Sequence, residues 1–263
     1  MKYLRLSRLE VNNANALAVP WIVAAPSPTA YVGFAHRLGR DLGTRTAGVA
    51  VVHHDFHLCA ERIDGRVLPH QFRSATFINK ADYSSKSKSA LSLQPTVRCN
   101  VVVSLVLELA DDAALGIDAL QQQLLQCRIA GGSIRAVADV EVHVDQESAT
   151  RAIRGGFSVV ERGDLLQPQS DREDRLDAFL RVTDPNAESK ESWLSPALLG
   201  YRAITPITKR QNSRDDYRHA FAEPLIGLTQ FVSLREKGLR FWRYHHLLES
   251  DVFVVTDSSI SPT

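Results

Sequence analysis

Two asparagines, Asn13 and Asn15, stand two residues apart in Leu9-Glu-Val-Asn-Asn-Ala-Asn-Ala-Leu17. Their amides can both donate and accept, and a helix start follows at Ser27-Pro28. Spare backbone N–H groups at such a start favour phosphate. Asparagine is equally at home in a solvated turn. Histidines form the second chemical cluster: His53, His54 and His57, then the pair His245-His246. On a regular strand His53 and His57 face one way and His54 the other. Paired imidazoles can serve as base and acid in metal-free RNA cleavage, although histidines close in sequence are not by themselves a site. No carboxylate or thiol stands at a convincing metal-ligand spacing. Phosphate-loop, nucleophile-elbow and His-Glu-x-x-His motifs are all missing from the sequence.

Cations and rings form the third pattern. Between Gly65 and Arg98 lie Arg66, Arg73, Lys80, Lys86, Lys88 and Arg98 against the single acid Asp82, with Phe72, Phe77 and Tyr83 among them. Cations neutralise phosphates and rings stack bases, so this mixture suits a strand of RNA. Near the C-terminus Arg240, Trp242, Tyr244 and His246 would share one strand face, either to stack bases or as ordinary core. Two glycine pairs, Gly131-Gly132 after Arg128 and Gly155-Gly156 after Arg154, would let an RNA backbone approach or would simply turn the chain.

The elements that must position these groups read as follows. Residues 2–11 alternate as a strand that ends in the Asn-rich loop. Ser27 and Pro28 open a helix with Tyr31, Phe34, Ala35, Leu38 and Leu42 inward, stopped by Gly43. Residues 46–58 form a second strand, and 100–109 a third, apolar enough for burial on both faces. Asp111 and Asp112 open a second helix with Leu115, Ala119, Leu120 and Leu124 inward, ending near Gly131-Gly132. Residues 134–145 alternate as a half-buried strand. The order βαββαβ predicts an α+β, ferredoxin-like domain over 1–147, with the long basic connection at 65–98 inserted in it. Residues 148–263 read as an extension, with a surface helix at 171–181, an acidic linker at 184–192 and terminal strands.

Of the 263 residues, positions 1–100 carry 13 Lys/Arg against 6 Asp/Glu, 101–200 carry 9 against 17, and 201–263 carry 9 against 7. A net charge of +1 therefore conceals a basic first section and an acidic middle, which fits one face for a polyanion and another for a partner. Three separated cysteines fit neither a disulfide framework nor zinc spacing, and no apolar run is long enough for a membrane span. A cytoplasmic protein with no membrane partner is expected.

Several motifs in one order then resemble the type I-F, Csy-type members of the Cas-five family of CRISPR proteins. They are Asn13-Ala-Asn-Ala16, Pro26-Ser-Pro-Thr-Ala-Tyr-Val-Gly-Phe34 with His36 and Arg40, and Arg128-Ile-Ala-Gly-Gly-Ser-Ile134. Gly156-Phe-Ser-Val-Val160, Gly200-Tyr201 with Thr205-Pro206, the 223–228 segment and Trp242-Arg-Tyr-His-His246 complete the set. The resemblance implies a RAMP fold and a non-catalytic subunit of an RNA-guided surveillance complex (Cascade), which binds the 5′ handle of crRNA and caps the complex in antiviral defence. It implies that residues 65–98 are a thumb that pins RNA. Its implied partners are the crRNA, a backbone subunit of the Cas-seven family, a large subunit of the Cas-eight family where present, and target DNA through the complex. It implies no cofactor. The residues it would use are Asn13, Asn15, Arg73, Lys80, Lys86, Lys88 and Arg98, then Arg128, Arg154, Trp242 and His246. The region around 160–195 and the C-terminal tail are shorter than the family pattern, which implies a variant or minimal complex. The competing expectation is a metal-independent endoribonuclease that matures repeat RNA with the histidines.

Overall fold

The computed structural model describes residues 2–19, 21–75, 93–110, 116–170, 172–184, 191–211, 217–247 and 250–257. Its organising strand is β1 (Lys2–Asn15), which buries Leu4, Leu6, Leu9, Val11 and Ala14 on one face. The parity shifts from even to odd and back because the register slips at residues 6–9 and again at 11–14. The second slip sits at Asn13, whose φ is +58°. The expected Asn-rich loop is therefore the bulged end of a strand, because backbone pairing with the next strand continues to Asn15. Two short strands, β2 (Leu17–Val19) and β3 (Ile22–Val23), follow as a separate pair.

Helix α1 (Pro28–Asp41) starts at Ser27 and buries Tyr31, Phe34, Ala35 and Leu38, as the sequence predicts. Ser27 occupies the N-cap position, yet its hydroxyl accepts the Leu198 N–H at 2.9 Å instead of capping the helix. The helix is thereby tied to a distant strand. Next, β4 (Thr46–Leu58) leads into a hairpin of β5 (Ala60–Ile63) and β6 (Arg66–Pro69), turned at Asp64-Gly65 with both φ positive. β7 (Gln71–Ala75) pairs with the start of β8 (Leu93–Leu109). The connection expected as a loop over 65–98 is thus strand at both ends, since its backbone groups find partners in one another. Lys80, Lys86 and Lys88 lie outside the described residues.

α2 (Ile117–Leu124) buries Leu120 and Leu124 and stops well before the glycines. Ala130 and Gly131 both have positive φ and make a two-residue turn between β9 (Arg128–Ile129) and β10 (Gly132–Ala136). The single strand expected over 134–145 is broken into β10 and β11 (Asp139–His143). These two pair with different parts of β1, and Val144 is exposed.

The remaining chain supplies α3 (Gln146–Arg151), β12 (Phe157–Glu161), α4 (Arg175–Thr183), β13 (Leu194–Ala203), β14 (Ala222–Ser233), α5 (Leu234–Lys237), β15 (Phe241–Leu247) and β16 (Val252–Thr256). α4 begins with a reciprocal capping box between Asp174 and Asp177. The architecture is α+β, a large antiparallel sheet with few helices. Strands follow the order β12-β14-β13-β16-β15-β4-β8-β1-β10-β9, with β11 also on β1. β15 and β12 both pair with the free edge of β4, at residues 49–50 and 52–53 respectively. The C-terminal strands therefore curl back onto one strand, and this closure removes sheet edges. α1 packs against β4, β13, β15 and β16. One apolar core runs from Leu4 and Leu105 through Tyr31 and Leu38 to Val159, Leu199 and Trp242. On the opposite sheet face Ala50, Val52 and Val106 are covered by Ala149 of α3, Ile153, Leu234 and Leu239.

Candidate nucleic-acid interface

In an antiparallel ladder, directly paired residues share a face. Cys99 and Ala14 pair and are fully buried in the main core. Arg98, one residue on, pairs with Asn15 and so projects from the other face. On that face Asn12 pairs with Ser133, which pairs with Arg128, while Asn100 pairs with His57 of β4. α3 and α5 cover this face only lower down, around Val106. Its upper end is a polar strip across β4, β8, β1, β10 and β9.

Side-chain bonds fix the strip. Arg98 donates from Nη1 to the Asn13 carbonyl at 3.2 Å, and Asn100 Oδ1 accepts the Asn13 N–H at 3.0 Å. Asn15 N–H donates to the Ala130 carbonyl at 2.9 Å, which joins the bulge to the Ala130-Gly131 turn. A Cβ on Gly132 would stand 2.6 Å from Ala14 N and 2.8 Å from the Asn12 carbonyl, so only glycine permits this approach. Asn13 and Arg128 are exposed. Arg98 uses one of its five donors on Asn13. The Asn15 amide is engaged with the Leu17 backbone as donor and acceptor, at 2.9 and 3.1 Å, and so shapes the chain after β1. Neither asparagine serves the start of α1, which is where the sequence alone put them. Asn12, Asn100, Ser133 and His57 belong to the same strip. Knowing the strand register would have revealed them; residue type did not.

The other expected residues lie elsewhere. Arg73 is on β7, opposite Pro95, at the root of the arm that leads into residues 76–92. Arg154 is exposed on the turn before β12. A Cβ on Gly156 would stand 2.6 Å from Val52 Cγ1 and 3.0 Å from the His53 carbonyl. Gly156 thus seats this turn on β4, while a Cβ on Gly155 would meet nothing within 4 Å. Trp242 is fully buried and donates its indole N–H to the Val159 carbonyl at 2.9 Å; it is core, and its ring offers no stacking surface. The face it starts does emerge further along β15, where Tyr244 and His246 are exposed. His246 lines a cavity of about 670 Å³ with His36, Arg40, Arg45, Tyr244 and His245, far from the Asn13 strip.

The expected pairing of His53 with His57 does not form. A bulge between His53 and Asp55 puts His53 opposite Val103, on the core face, and His57 opposite Asn100, on the other. His53 is buried, with Nε2 3.0 Å from the Tyr31 hydroxyl, and burial pulls its pKa down to about 3. His54 Nε2 lies 2.7 Å from the Ser104 hydroxyl; burial and then Arg8 lower its pKa. Among the described residues no cluster of three or more His, Cys, Asp or Glu could hold a metal ion, and no helix is long and apolar enough to cross a membrane.

Comparison with known proteins gives concordant findings. A family model described as CRISPR-associated protein (Cas_Csy2) matches residues 4–255. The chain is 27% identical, over a 310-residue alignment, to CRISPR-associated protein Csy2 of Pseudomonas aeruginosa (strain UCBPP-PA14). That alignment covers 94% of this chain and 92% of the relative.

Proposed function

The chain belongs to the type I-F Csy2 family of CRISPR-associated proteins, and on that premise we propose that it is a non-catalytic subunit of a crRNA-guided surveillance complex. In this reading it binds the 5′ handle of the crRNA and caps one end of the complex. The single observation behind the handle site is the polar strip, where Asn13, Arg98 and Arg128 come together on an open sheet face. Arg98 and Arg128 meet phosphates, and the exposed Asn13 amide is free to read a base edge or a sugar. Arg73 and the lysines at 80, 86 and 88, the latter outside the described residues, are assigned to further phosphate contacts on the strength of the family resemblance. Asn15 holds the backbone in place. Base pairing by the guide supplies the sequence specificity of such complexes, while protein reads backbone and shape.

Support for a ferredoxin-like RAMP core comes from the strand order. β1 and β4 are joined through α1 yet separated by β8, and β8 and β10 are joined through α2 yet separated by β1. Two split βαβ units of this kind make the ferredoxin-like arrangement. The partners proposed with the crRNA are a Cas-seven backbone subunit, a Cas-eight large subunit and, through the complex, target DNA in the cytoplasm.

Exchange of Arg98 and Arg128 for glutamate, or of Lys80, Lys86 and Lys88, is expected to abolish retention of co-purifying RNA while the chain stays folded. Unchanged retention would sink the handle assignment. Incubating the purified protein with repeat RNA in chelator is expected to leave the RNA whole. Cleavage that disappears in His246→Ala would instead establish the endoribonuclease.

A further inference from the structure

The cavity beside the last turn of α1 is not absorbed by the handle site. Its walls are that turn, the link into β4 and the end of β15. It abuts Thr46, at the opposite end of β4 from Leu58, which pairs with Cys99 next to Arg98. Twelve residues of extended strand separate the two ends, up to about 40 Å.

The lining is cationic and aromatic. Arg40 and Arg45 are exposed, and His36, His245 and His246 add three more nitrogen heterocycles. Among the described residues no carboxylate lines the cavity, and none of the described ion pairs involves either arginine. The Tyr244 ring is propped edge-on to His36 at 4.5 Å between centroids and stacked on Phe253 at 5.8 Å, so it is held in place. Burial, and secondarily Arg40, lowers the pKa of His36, which leaves it a neutral donor and acceptor at pH 7.

A second observation is independent of charge. Thr44 Oγ1, Thr46 Oγ1 and His245 Nε2 are buried without a hydrogen-bond partner among the described residues, and each belongs to a residue that lines this cavity. Only two other side-chain atoms in the described residues, on His53 and Ser158, share that condition. Buried polar atoms are normally satisfied, so such a concentration marks a place where polar ligand atoms belong. Arg40 also suits the negative end of α1, but that explains neither Arg45 nor the orphaned groups.

We propose that this cavity is a second nucleic-acid site, which seats one nucleotide of a single strand with its phosphate on Arg40 and Arg45 and its base beside Tyr244 and His36. The volume suits a nucleotide, since ligand sites span roughly 300–1,000 Å³. The polyanion class rests on the proposed RNA-binding function, but the site does not. Single-stranded guide RNA and an unpaired DNA strand offer the same chemistry.

Photocrosslinking of the full chain with a 4-thiouridine-bearing single-stranded RNA, and in parallel with its 4-thiothymidine DNA counterpart, tests this. Label is expected on the C-terminal tryptic segment that begins at Tyr244. The arm that labels more strongly identifies the source. Arg40→Gln with Arg45→Gln is expected to cut this label at least tenfold with an unchanged unfolding midpoint, while crosslinks near Asn13 and Arg98 persist. Loss of two phosphate contacts should also flatten the log–log salt slope by about 1.4. Crosslinks near Arg98 with none at Tyr244, or label at Tyr244 untouched by the arginine exchange, would overturn the second site alone. Absence of crosslinks everywhere would overturn the RNA-binding function as well.

Discussion

His53 shows how far a residue's chemistry depends on its surroundings. A histidine in a cluster of three invites a catalytic role, yet this ring is sealed against Tyr31 and Phe231, with Nδ1 left without an acceptor for a second proton. Charging it costs desolvation, so its pKa falls to about 3, while in the unfolded chain it returns to about 6.5. Below that value the unfolded state takes up a proton that the folded state refuses. Stability is therefore complete above about pH 6.5 and is lost as pH falls towards 3. The slope is about 1.4 kcal/mol per pH unit, or roughly 2 kcal/mol by pH 5. Urea unfolding between pH 7 and 5 should reveal this loss, and His53→Gln should flatten that limb. A limb unchanged in the variant would mean that other groups carry it. The residue types around Asn13 were legible in sequence, as were the cations. Their roles were not, because Asn15 is consumed by the Leu17 backbone and Trp242 by the core.

Elements decide which of these residues meet. The hairpin of β9 and β10 carries Arg128 to the strip, and it can lie against β1 only because Gly132 has no side chain. A methyl group there would meet backbone atoms of Asn12 and Ala14, which cannot swing aside as a flexible side chain can. Gly132→Ala is therefore expected to cost about 1–3 kcal/mol in urea unfolding, typical of overpacking, and to weaken RNA binding by displacing Arg128. Wild-type stability in this variant would show that the hairpin does not depend on close contact. α1 could be read from periodicity, because one of its faces must be buried, and β4 from its apolar run, because both of its faces are covered over residues 49–52. The bulges in β1 and β4 could not be read, since one extra residue reverses the faces of all that follows and leaves no mark in composition.

Across the whole molecule, the boundary expected near residue 147 falls within α3, yet the main core crosses it. Tyr31, Val49 and Leu105 pack in one cluster with Val159, Leu199 and Trp242, and β4 pairs with both β12 and β15. We expect the two sections to unfold together, with far-UV and near-UV circular dichroism transitions coincident, and residues 1–147 alone to lack a cooperative transition. Two separated transitions would instead mark independent units. Taken alone, the sequence determined the charge segregation, the helices and strands with clear periodicity, and the family, since these depend on residues in order along the chain. Tertiary structure alone decided that β12 and β15 close on β4, that the Asn13 bulge meets Arg98 and Arg128, and that Arg40 and Arg45 share a cavity with His245 and His246. Those juxtapositions rest on strand register and long-range pairing, where backbone hydrogen bonds and core burial choose among alternatives that local sequence leaves nearly equal in energy.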